Sequence, residues 1–219
     1  MDCKLTQSLT AANNDQQENI MAKKEILTIK EPDYRRTVLG IEGVTPLLCD
    51  RMSQETIDGM VETKENSTKA KKERDRMFEF EQSCYILDPD APEDAPGKYG
   101  FPASGFRLAA KDAARMTNIK MTEANQAFIP TVEMVPLLFG KRRLRIDRVG
   151  GNTTPRTTAV VRAEFVDWSC QLPIEWDNDF LTLKQICNLL SRAGRSVGIG
   201  AWRVIKHGLH GQFRIASEG

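Results

Sequence analysis

The chain has 219 residues, a formal net charge of +1 at pH 7, 40% hydrophobic and 28% charged residues. That is the balance of one large globular domain, and the longest apolar run, 135–139, is far too short to span a bilayer. Five scattered cysteines (Cys3, Cys49, Cys84, Cys170, Cys187) without CxxC spacing argue against a disulfide framework or a zinc site.

The N-terminus lacks the basic-then-apolar order of a secretion signal, so a cytoplasmic protein is expected. Residues 1–24 are polar and rich in Asn and Gln, which reads as a flexible arm before a single domain over 25–219. The run 35–44 is rich in β-branched and apolar residues and predicts a strand that ends in a turn. Ser53 is a candidate helix cap. The mixed charges of 64–81 suit an exposed helix laced with ion pairs. A short strand at 84–87 comes next, then a Pro-rich loop over 88–100.

Ser104 is a candidate N-cap for a helix over 105–116, whose Phe106, Ala109, Ala110, Ala113 and Met116 form a stripe of mostly small apolar residues. Strands are expected at 132–139 and 144–149, then a flexible loop at 150–155. Strands at 157–165 and 169–176, joined by only Val166-Asp167-Trp168, are expected to pair as a hairpin. Thr182 caps an amphipathic helix that Gly194 ends, and 212–216 is a last strand. This order predicts an α+β fold, a ferredoxin-like or RRM-like antiparallel sheet with helices on one face and a long insertion.

Charge is concentrated in 141–162, where seven basic residues against one acid, Asp147, leave a net +6. Lys141, Arg143 and Arg145 share one face of a strand with period two, and the 150–155 loop would carry Arg148 and Arg156 outward like a finger. Arginine forks suit phosphate oxygens. Arg107, Lys111 and Arg115 are four apart and form a second basic stripe on the 105–116 helix. The competing reading is a solvated surface paired with the acids near Glu73 and Glu79. The segment 194–211 holds five glycines beside Trp202 and Arg203, which suits either tight turns or close approach to a strand with base stacking.

No catalytic motif is present. The segment 194–211 is neither a phosphate-binding P-loop nor a dinucleotide fingerprint. His207 and His210 lack an evident third ligand, so no metal and no cofactor are expected. A lone acid such as Asp50 remains a candidate nuclease carboxylate.

Three pieces, taken in order, resemble the RAMP superfamily, the RRM-like backbone subunits of CRISPR effector complexes. They are Gly43-Val44-Thr45-Pro46-Leu47-Leu48, then Tyr99-Gly100-Phe101-Pro102-Ala103-Ser104-Gly105-Phe106-Arg107, then Gly198-Ile199-Gly200-Ala201-Trp202-Arg203 with Gly208 and Gly211-Gln212-Phe213. The resemblance covers roughly 35–216, and the chain is also similar to a group of phage proteins of this length. It implies an RRM-like fold, strand binding through Arg107, Lys111 and Arg115, a hairpin thumb near 150–155, and self-assembly. The function expected is non-enzymatic binding of single-stranded RNA or DNA by a homo-oligomer. The alternatives are a phage structural or host-defence-inhibiting protein that binds a protein partner, and a small-ligand binder or nuclease using the 198–211 loop.

Overall fold

In the computed structural model the described residues are 29–52, 57, 75–150 and 157–216. The expected arm, the helix cap at Ser53, most of the charged helix and the tip of the 150–155 loop lie outside them. By its contacts the chain divides after Pro32, and Asp33–Gly219 forms the larger unit.

Strand β1 (Tyr34–Gly43) alternates as a half-buried strand should. Leu39 and Ile41 point into the core while Val38 stays exposed. It pairs antiparallel with β9 (Ser169–Asp177), from Tyr34 opposite Asp177 to Glu42 opposite Ser169. Strand β10 (Phe213–Ile215) lies on the far side of β1, and β6 (Met134–Leu138) on the far side of β9. Helix α2 (Ser104–Ala113) falls between β1 and β6 in the chain, and α4 (Leu183–Ser196) between β9 and β10. The succession β1-α2-β6-β9-α4-β10 with sheet order β10-β1-β9-β6 is the ferredoxin-like arrangement. Strands β4 (Tyr99–Pro102) and β3 (Tyr85–Ile86) extend the sheet beyond β6, and β5 (Ile129–Pro130) adds to β9.

Both long helices pack by small residues. Ala109, Ala110 and Ala113 of α2 are buried with Phe106, whose ring meets Phe101 and Phe213 edge-on. Gly194 does not end α4, which runs on to Ser196. A Cβ there would lie 2.0 Å from the carbonyl oxygen of Phe213, so this glycine lets the helix cross β10 at close range. Met116, expected in the apolar stripe, is half exposed, because α2 gives way to a 3-10 turn over Ala114–Met116. Helix α3 (Met121–Gln126), which the sequence reading leaves out, comes after that turn.

The expected hairpin of 157–165 with 169–176 does not form. Strand β8 (Thr157–Val166) pairs with β7 (Lys141–Gly150) along ten positions, and with the short β2 (Leu47–Cys49), in a second, three-stranded sheet. The reason lies in the connection. Asp167 takes a positive φ of 52°, and Trp168 is buried with its indole N–H donating to Thr45 O at 2.9 Å. The chain therefore passes from one sheet to the other instead of folding back. Helix α1 (Arg76–Gln82), capped by Asp75 through bonds to Met77 N and Phe78 N, packs on β8.

Candidate nucleic-acid interface

The three pieces picked out in the sequence meet in space. A cleft of about 410 Å³ is lined by Leu48 from the first, Phe101, Ser104 and Gly105 from the second, and Gly198 and Gly200 from the third. Helix α2 opens onto this cleft. Its N-cap is Ala103, not Ser104, and it has no side-chain capping bond. The cleft runs along the flank of the helix, from Ser104 and Gly105 in its first turn past Leu108 and Ala109 to Asp112. Asp50, Asp112 and Arg203 also line the cleft.

The glycine loop is held in a set of left-handed turns. Gly198, Gly200 and Gly211 have φ of 73°, 76° and 68°, and even Trp202 and His207 are positive. A Cβ on Gly211 would lie 1.8 Å from Ile199 O, so a side chain there collides with the opposite arm of the loop. Backbone bonds fasten the loop to β2 and its approach: Ala201 N donates to Leu48 O and Gly211 N to Pro46 O, both at 2.9 Å. Arg203 donates to Gly200 O at 3.0 Å and braces the loop from within. Trp202 is 40% exposed beside it.

The β7–β8 hairpin has two unlike faces. On one, Arg142 is drawn into the core with a side chain only 2% exposed. Its guanidinium carbon sits 4.5 Å from the ring centroids of both Phe80 and Tyr99. It donates to Glu81 at 2.8 Å, to Asp94 at 3.4 Å and to Glu93. On the other face, Arg145 donates to Asp147 at 2.7 Å and to Glu164 at 3.3 Å. Arg162 reaches Asp147 at 3.0 Å and Asp50 at 2.7 Å. Asp147 and Arg162 are buried. Burial alone would raise the Asp147 carboxyl, but the bonds from Arg145 and Arg162 hold it below the ordinary carboxylate range. The lone acid Asp50 is thereby a partner of Arg162.

The predicted basic residues therefore separate. Lys141 and Arg143 are exposed on the charged face, with no ion pair to any described residue. Arg145 is committed to the ion network. Arg148 is exposed but belongs to the opposite face, two positions from Ile146. Arg156 lies outside the described residues. The stripe on α2 is broken: Arg107 turns to donate to Asn125 O at 2.6 Å, Lys111 is half-buried, and Arg115 is exposed beyond the helix end. Arg203 lines the cleft and is engaged by the loop, while Trp202, next to it in the chain, is exposed but is not part of the lining. Sequence reasoning passed over Glu164, counted Arg142 and Arg162 only as part of the basic segment, and weighed His210 only as a metal ligand. The available signal is Arg162 standing amid Val160, Val161 and Ala163, since an arginine inside an apolar strand needs buried partners.

No family model and no curated protein sequence matches the chain. Among solved structures, a chain of the type III-B Cmr-beta complex bound to cognate target RNA aligns at TM-score 0.44 and 10% identity, covering 99% of this chain and 66% of that one. Cmr6 from Pyrococcus furiosus aligns at TM-score 0.41 and 9% identity, covering 84% of this chain and 98% of its own. This chain thus spans 66% of the length of the first. None of the helices among the described residues is long and apolar enough to cross a membrane.

Proposed function

We propose that this chain is a non-enzymatic protein that binds single-stranded nucleic acid, RNA or DNA, and assembles with copies of itself along the strand, as a relative of the RAMP backbone subunits. The observation that carries the reading is the convergence of three pieces, separated by up to about 150 residues, on one cleft between the flank of α2, including its first turn, and the glycine loop. Amide groups at a helix start and in a glycine turn suit phosphate oxygens. Trp202, partly exposed on the glycine loop, offers a stacking surface. Lys141 and Arg143 supply exposed cations on the hairpin.

The test is titration of labelled RNA and DNA oligonucleotides at several salt concentrations with the double variant Lys141→Glu, Arg143→Glu. Both side chains are exposed, so the fold is retained. Affinity falls at least about tenfold at low salt, and the salt slope drops by about 2. Unchanged affinity and slope would sink the reading. In that case a protein partner comes forward, a reading favoured by the exposed Ile146 and Val149 on the same hairpin.

A further inference from the structure

We propose that His210 is a proton-operated latch that fastens the glycine loop to the base of the hairpin and releases it when the imidazole is protonated. The proposal stands apart from whatever fills the cleft. His210 belongs to the loop and is bridged to Arg203 across it. Its side chain is mostly buried, with Nε2 3.1 Å from Nη1 of Arg145 on β7. A guanidinium has no lone pair to offer, so the contact is a bond only if Nε2 accepts. The imidazole is then neutral, with its proton on Nδ1, which is buried and has no partner among the described residues.

Protonation places an N–H on Nε2 against a guanidinium. The bond is lost and two cations face each other at about the same distance. Compensation is limited. From β7 the groups facing this point are Arg145 and Asp147, with Arg143 further out. From β8 they are Glu164 and Arg162, and from the end of β2, Asp50. Asp147 spends its two oxygens on Arg145 and Arg162, and Asp50 is bound to Arg162. Glu164 alone is near the imidazole, 3.7 Å from Nε2, and it already accepts from Arg145. Burial and the charge of Arg145 accordingly lower the pKa of His210, against the smaller pull of Glu164 and Asp147.

In the open loop the imidazole takes its ordinary value, 6.5; in the closed loop it lies lower. Closure is therefore at full strength above the ordinary value and weakens as the pH falls through it toward the closed-state value. Because Gly198, Gly200 and Arg203 line the cleft, release of the loop reshapes that wall.

Hydrogen exchange of the full chain at pH 7.5 and 5.5, analysed by mass spectrometry of peptides within 197–211 and corrected for intrinsic rates, tests the latch. Protection of this segment falls on acidification, by up to about tenfold at pH 5.5, which lies one unit below the ordinary value. In His210→Gln, whose carboxamide oxygen accepts from Arg145 at every pH, protection stays level. No fall in the wild type, or an equal fall in the variant, overturns the proposal. NMR titration of the wild-type histidines is a check that needs no variant. The proposal requires the His210 imidazole to titrate below the ordinary value, and titration at or above it contradicts the latch.

Discussion

Arg142 and Arg143 are neighbours with opposite fates, and the difference is set by residues remote in the chain. The period of two in 141–145 is legible in the sequence, and it correctly groups Lys141, Arg143 and Arg145. Which set faces inward is not legible, because the aromatic pair that receives Arg142, Phe80 and Tyr99, comes from two separate elements. Removing this buried cation leaves a void between two rings and unpairs Glu81, whose side chain is 37% exposed. Glu93 and Asp94 are 69% and 60% exposed and stay solvated, which limits the loss. Arg142→Ala is therefore expected to cost about 3 kcal/mol, chiefly from the cavity left between the rings, and Arg142→Met less, since its apolar stem still fills the gap. Urea unfolding measures both. Equal stability of Arg142→Ala and wild type would contradict a structural role.

At the scale of elements, the two long helices are readable from their apolar stripes, and α4 from its expected cap Thr182, which in the structure also forms a capping box with Gln185. The errors have a common cause, which is that local signals are silent about tertiary contacts. Gly194 looks like a helix stop, yet it is buried in the last turns of α4 because β10 passes against it. The three-residue link 166–168 looks like a hairpin turn, yet the burial of Trp168 sends the chain into another sheet. The close crossing of α4 and β10 makes a definite prediction. Gly194→Ala forces a methyl group onto the Phe213 carbonyl and should destabilise the fold by about 2 kcal/mol, although alanine is the better helix former. Calorimetry should show a lowered Tm; a raised one would mean that helix propensity outweighs the close approach.

For the molecule as a whole, the succession of strands and helices is enough to expect a ferredoxin-like sheet, and the strand order bears this out. The second sheet is hidden, since β2 has only three residues and its pairing with β8 spans more than a hundred positions. The candidate site is legible as three glycine-containing pieces but not as one cleft, and of the ion network behind it only Arg162, set inside an apolar strand, leaves a trace in the sequence. On the function proposed for it, the protein uses the assembled cleft and the exposed cations of the hairpin to act on a strand. Size-exclusion chromatography with light scattering, recorded at 260 and 280 nm before and after nuclease treatment, tests this most directly. The account predicts a large species with high absorbance at 260 nm that collapses on treatment with one nuclease, which identifies the strand. A protein-only species, unchanged in mass by either nuclease, would contradict it.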